Sequence, residues 1–216
     1  SNTIETAQKK LEARNFSTHK QVLNYDDVMN QQRAIIYKQR QMVLDGVDIS
    51  DELRDMLKQS ITDRVRTCLP GDVPADWDFG ALRCYYQGWL CSSDEFKFTA
   101  AQLESVKPQD IADILLNRAW RILAAKEEGY GTHIMRELER ACLLQCVDVQ
   151  WINHIDAMEQ LKKGISLRSY GQHDPVVEYR IEGFEMFDEM VNTIRENTIR
   201  MLILAEVHPM PAPAAA

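Results

Sequence analysis

The sequence predicts an all-α protein: a long helix, an antiparallel helical hairpin, and a small helical unit inserted between them. Two observations carry this. Apolar residues recur at three- and four-residue spacing over stretches far longer than a strand. The 216 residues also hold only 9 Gly and 7 Pro, and Pro209, Pro211 and Pro213 fall near the end of the sequence. Turn formers are therefore scarce along the body of the chain. Hydrophobic residues make up 45% and charged residues 27%, an ordinary balance for a chain that builds a core.

The first element is read over residues 4–44. Val22, Tyr25, Val28, Met29, Ile35, Ile36, Met42 and Val43 mark its apolar face, and no Pro or Gly occurs before Gly46. At 1.5 Å per residue such a helix would run roughly 60 Å. It is too polar before Val22 to be buried all round, so it reads as a rail on which other elements dock.

Residues 46–130 have a different texture. Ser50 is expected to cap a helix over 51–67, with Asp51 and Glu52 favourable in its first turn. LPGDVP at 69–74 ends that helix. The aromatic run WDFGALRCYYQGWL and the polar SSDEF follow. Thr99 is read as the cap of a short helix at 100–106, without the carboxylate of a full capping box. Pro108 suits the first turn of a helix over 109–127, expected to bury Ile111, Ile114, Leu115, Trp120, Ile122 and Leu123 and to be stopped by Gly129 and Gly131.

The hairpin is read over 132–207. Its first arm (133–164) sets Ile134, Leu138, Ala141, Leu144, Trp151, Ile155, Met158, Leu161 and Ile165 at helical spacing. The second (175–205) does the same with Phe184, Phe187, Val191, Ile194, Thr198 and Leu202, with Asp174 as cap and Pro175 in the first turn. Two such arms joined by about ten residues fold back on each other to bury these stripes. The tail after His208, PMPAPAAA, has no core-forming content.

Charge narrows the function. Lys plus Arg is 25 and Asp plus Glu is 33, a net −8, which argues against a general nucleic-acid binder. Residues 1–45 carry seven basic and five acidic side chains, a balance of +2, whereas 46–130 and 131–216 each stand at −5. The first segment therefore fits either a mixed solvated face or an arm that touches something acidic. SNTIETAQKK lacks the apolar stretch of a signal peptide, and no apolar run approaches the ~20 residues of a membrane span. Five cysteines, an odd number without CxxC, suit a reducing cytosol. Cys142 and Cys146 lie on one helix face and read as buried free thiols.

Catalytic motifs are missing. The glycines form neither GxxxxGK[ST] nor GxGxxG, and neither HExxH nor GxSxG occurs. His154 reads as a satisfied or surface histidine. A helical hydrolase built on it would need a convergent third group that the sequence does not offer. Asp26 and Asp27 point to different helix faces, and Asp27 reads as a local partner of Arg33 or as a partner contact. Glu178, Glu182, Glu185 and Glu189 form a carboxylate stripe, read as a solvated face.

The hairpin tip stands out. Ile165, Leu167 and Tyr170 sit among Lys162, Lys163, Arg168, Ser169, Gly171, Gln172 and His173, where a solvated tip is usually small and polar. Either these groups grip an extended polypeptide by nonspecific apolar contact, or Ile165 and Leu167 plug the hairpin base and Tyr170 folds back on it.

NYDDVMNQQR at 24–33, preceded by QKKLEARNF at 8–16, resembles the long helix of the SecA family of bacterial protein-secretion motors. A second block matches at Trp151, His154, Met158, Leu161, Gly164, Ile165, Leu167, Arg168, Tyr170, Gln172, Asp174, Pro175, Glu178 and Tyr179, continued by EGFEMFDEM at 182–190. The resemblance covers 4–45 and 132–205; the middle matches in place and helical character. The tip departs from the family's usual LRGYAQ or LRAYAQ by reading LRSYGQ, LKKGI stands for LRQGI, and EYR stands for EYK.

The resemblance implies a domain plan: 1–46 as the long helix of a helical scaffold domain, 47–131 as an inserted helical wing domain, 132–207 as the scaffold's two-helix finger, and 208–216 as a flexible tail. It implies that Leu167, Arg168, Ser169, Tyr170, Gly171 and Gln172 contact preprotein and channel at the finger tip. Arg14, Asn15, Tyr25, Asp26, Asp27 and Arg33 would dock motor domains that lie N-terminal in the parent chain. The implied function is that of a non-catalytic piece of a preprotein translocase, coupling ATP-driven motion to the passage of unfolded preproteins through the SecYEG channel. ATP and Mg are implied for the parent and no cofactor or metal for this piece. The implied partners are SecYEG, preprotein, the motor domains and an anionic membrane surface, with no nucleic acid, and the implied place is the cytoplasmic face of the plasma membrane. The rival reading is a helical adaptor that binds a folded partner by a helix-in-groove mode.

Overall fold

The computed structural model describes residues 24–168 and 174–207. Among them are seven α-helices and no strand: α1 (24–44), α2 (Ser50–Cys68), α3 (Phe79–Tyr86), α4 (Ala100–Leu103), α5 (Pro108–Tyr130), α6 (Thr132–Arg168) and α7 (Pro175–Leu204). The all-α class is therefore as the sequence predicts. No helix among the described residues is long and apolar enough to cross a membrane. The chain divides into two compact units, one of 1–45 and 147–193, the other of 46–146 and 194–216. The cuts fall inside α6 and inside α7.

In the second unit, α2 packs on α3 and α5. Leu57, Ile61, Leu82, Tyr86 and Leu115 are fully enclosed. Ser50 is not the cap of α2 but its first residue, and it follows Ile49. The Ser50 N–H is taken up by the Asp48 carboxylate at 2.9 Å, so the side chain that serves this helix start comes from two residues upstream. Thr99 does head a full capping box: it accepts from the Gln102 N–H while the Gln102 side chain accepts from the Thr99 N–H. The reciprocal partner lies at the third helical residue, where glutamine serves as well as glutamate. α5 runs further than expected at both ends. It turns Ile111, Ala112, Leu115 and Ala119 inward and leaves Ile114 and Trp120 exposed. Gly131, at φ 85°, alone joins α5 to α6, a left-handed geometry that glycine adopts without the Cβ penalty.

The C-terminal stretch of α7 is held within this unit by polar contacts. Arg64 forks onto both oxygens of Glu196 at 2.8 and 2.9 Å, and its guanidinium lies 3.9 Å from the Tyr85 ring centroid. Burial, ahead of the nearby Glu196 charge, pushes the Tyr85 phenol up to about 12. The Lys126 ammonium donates to the carbonyls of Leu202, in the last turn of α7, and Ala205, just past its end, where a cation also suits the helix dipole. The five cysteines are free; Cys68, Cys91, Cys142 and Cys146 are buried and Cys84 on α3 is exposed.

The first unit contains α1 and the adjoining parts of α6 and α7. Its core gathers Tyr25 and Val28 from α1, Met158, Leu161 and Ile165 from α6, and Val176 and Tyr179 from α7. Ile165 is fully enclosed, as the plug reading of the hairpin base expects. Contacts pair 158 with 183 and 154 with 187, so α6 and α7 run antiparallel. Asp174 accepts from the Val176 N–H at 2.9 Å, the N-terminal cap expected of it. On α7, Phe187 is buried and Phe184 is not: 64% of it faces solvent.

Candidate functional site

The site is built on the α1 motif and the helix segments that face it in the first unit. Tyr25, Val28, Gln32, Ile36 and Val43 form the buried face of α1, at spacings of three, four, four and seven that keep them on one side of the helix. Asp26, Asp27 and Arg33, between them, are exposed, and Met29 and Arg40 are half-buried.

At the upstream end of this face, Tyr25 meets Tyr179 edge-on, with centroids 4.7 Å apart and planes at 86°. Burial pushes both phenols up, Tyr179 to about 12, so both stay neutral at physiological pH. Lys162 stands 3.9 Å from an Asp26 oxygen and 5.5 Å from the Tyr25 ring centroid. A cleft of about 310 Å³ opens here, lined by Tyr25, Asp26, Arg33, Glu159, Lys162 and Tyr179 among others. Arg33 donates to the Asn30 side chain at 3.2 Å, so the local pairing expected with Asp27 is replaced by one on its own turn.

Midway along α1, a buried polar group ties in both other helices. Gln32 is 5% exposed. Its amide donates to the Gly183 carbonyl on α7 at 2.9 Å, and its oxygen lies 2.7 Å from Nε2 of His154 on α6. Because the Gln32 NH₂ is turned to Gly183, the oxygen accepts and His154 carries its proton on Nε2. His154 is a satisfied core histidine, set near the rings of Trp151 and Phe187, and burial holds its pKa below the ordinary value. Further along, Arg40 forks onto Asp148 at 2.8 and 3.2 Å, and Tyr37 meets Trp151 edge-on. These contacts pair progressively later α1 residues with progressively earlier α6 residues, so the two run antiparallel.

Three residues singled out from the sequence, Tyr25, Asp26 and Arg33, thus meet at one cleft. Asp27 is exposed on α1 and does not line it. Leu167 and Arg168 are the last residues of α6. Arg14, Asn15, Ser169, Tyr170, Gly171 and Gln172 lie outside the described residues. Sequence reasoning missed Gln32 and Gly183. The available signals were a glutamine in register with an apolar stripe and a glycine in mid-helix.

A family model described as the SecA Wing and Scaffold domain matches residues 1–206. The protein translocase subunit SecA of Desulforamulus reducens is 41% identical over 206 residues, covering 95% of this chain and 23% of the relative. The corresponding subunit of Acetivibrio thermocellus is 40% identical over 205 residues, covering 94% and 22%. Protein translocase subunit SecA 1 of Clostridioides difficile is 44% identical over 202 residues, again covering 94% and 22%. The chain therefore spans less than a quarter of the length of these relatives.

Proposed function

The chain belongs to the SecA wing and scaffold family, and from that premise we propose that it is the mechanical, non-catalytic part of a SecA-like translocase. In this reading α1 is the rail. It receives movement from ATP-driven motor domains elsewhere in the parent chain and passes it to the finger formed by α6 and α7. The finger tip, Leu167 to Gln172, acts on an unfolded preprotein at the mouth of the SecYEG channel, on the cytoplasmic face of the membrane. Residues 1–46 and 132–207 serve as scaffold and 47–131 as wing. ATP and Mg are held by the rest of the parent. Asp26, Asp27 and Arg33 offer α1's exposed charges to the motor domains, together with Arg14 and Asn15.

The observation that carries this reading is the engagement of α1 with both finger helices. The Tyr25–Tyr179 pair, the Gln32 amide and the Arg40–Asp148 fork reach from one helix to two others at successive levels. A helix so connected passes on a displacement rather than absorbing it, because packed interiors transmit strain.

The test is a photo-activated cross-linker at residue 170 of the full-length parent. Capture of preprotein or channel during transport is expected. Capture no greater than from a probe at exposed Glu104 would remove the tip assignment. One observation favours the adaptor reading instead: Val177, Ile181 and Phe184, at helical spacing on α7, are all about half exposed or more. A probe at residue 184 that captures a folded protein in the absence of preprotein and nucleotide would support it.

A further inference from the structure

Two independent features of the first unit fall at the same level of its three helices. One is the Gln32 amide, buried and bonded to α6 through His154 and to α7 through Gly183. The other is the absence of a side chain at Gly183. A Cβ there would stand 2.6 Å from Cε and 3.3 Å from Sδ of Met158 on α6, and 3.9 Å from Val28 on α1. A mid-helix glycine weakens α7 relative to alanine; here the missing side chain leaves the space that the tip of the Met158 side chain fills. The Met158 side-chain tip and the Gln32 amide therefore meet α7 at the same residue.

Apolar contacts alone fix register poorly, since neighbouring apolar residues substitute for one another when helices slide. A buried amide does not tolerate this. Moving either helix by one turn takes its partner out of reach and leaves a buried polar group unsatisfied. A single polar side chain within an apolar helix interface is a known means of setting register. We propose that Gln32 is a positioning residue, which holds both finger helices at one register against α1 by bonding His154 and Gly183 at once. The role rests on the finger reading above; the lock itself does not.

The experiment separates the two. In the 216-residue chain, ¹⁵N NMR of the His154 imidazole is expected to show the Nε2–H form, hydrogen-bonded and titrating below the ordinary histidine value. Gln32→Leu removes both bonds. Helix content should persist, while amide exchange around 183–187 in α7 speeds up by about tenfold or more and exchange near Leu57 and Leu115 stays as in the wild type. Gln32→Glu provides a second readout should the leucine variant fold poorly. Its carboxylate still accepts from His154 but has no N–H for Gly183, so the His154 pKa should rise above the wild-type value while α7 exchange still accelerates. Unchanged exchange in both variants would overturn the lock.

The positioning role is read in the full-length parent. Gln32→Leu should lower preprotein moved per ATP hydrolysed by about fivefold with ATP turnover intact, and Gln32→Glu should fall between it and the wild type. Unchanged transport per ATP, or a parallel fall of transport and ATP turnover, would overturn the positioning role. Failure of the residue-170 probe in the wild-type parent would count against the finger reading instead.

Discussion

Arg136→Ala is expected to remove roughly 3–5 kcal/mol of stability, because it strands a buried carboxylate. The Glu139 side chain is 7% exposed, and Arg136 Nη1 donates to it at 2.6 Å while Nη2 reaches Glu127 at 2.6 Å. Burial already raises the Glu139 pKa, and the Arg136 charge is the largest influence opposing that rise. Without it, burial acts unopposed and Asp48 and Glu127 push in the same direction. The sign of the pH dependence follows. A carboxyl whose folded pKa lies above its unfolded value binds more protons when folded. Its stabilisation is complete below the unfolded value and is lost as pH rises through the folded one. The deficit of Arg136→Ala should thus be smaller at pH 5 than at pH 8. Urea unfolding of variant and wild type at both values measures it, and equal deficits would show that Glu139 finds another partner.

Tyr179→Ala should cost a similar ~3–5 kcal/mol, through a cavity in the first unit. Tyr179 is 2% exposed and lies among Val28, Met158, Leu161 and Ile165 with its edge or face to Tyr25. The ring pair itself accounts for about 0.5–1.5 kcal/mol of this. Combining Tyr179→Ala with Tyr25→Ala should therefore cost less than the sum of the two alone by about that amount. Tyr179→Phe keeps the ring and should stay within ~1.5 kcal/mol of the wild type. A loss under 1 kcal/mol for the alanine variant, in denaturant melts, would mean that this core does not hold the three helices together.

Periodicity made the helices legible because a helix in a small core must present apolar residues every three or four positions. It left the inward side less certain wherever two apolar residues are adjacent. Ile35 and Ile36, or Met42 and Val43, stand about 100° apart on a helix, so one of each pair faces inward; Ile36 and Val43 do, and Ile35 and Met42 are exposed. Phe184 and Phe187 divide in the same way across the edge of the α7 stripe. The cap of α2 was misread for a local reason: Asp48 and Ser50 are both good capping residues, and backbone geometry decides which serves. Tyr25, Asp26 and Arg33 were legible through their motif. Gln32 stands in the same motif but its role was not legible, because a polar residue on an apolar face explains itself only once its partners are known, and these lie 122 and 151 residues away.

The cysteines bear on how the protein will behave at the bench. Thiol reagents and oxidants act on the thiolate. Burial pushes Cys68, Cys91 and Cys146 upward, and Cys142 to about 11, so these four are both shielded and protonated. Cys84 is the exposed one. It gives α3 a native attachment point for a fluorophore or a surface tether without engineering. It also means that a covalent dimer on a non-reducing gel of stored protein reports Cys84 bridging two chains, and carries no information about assembly.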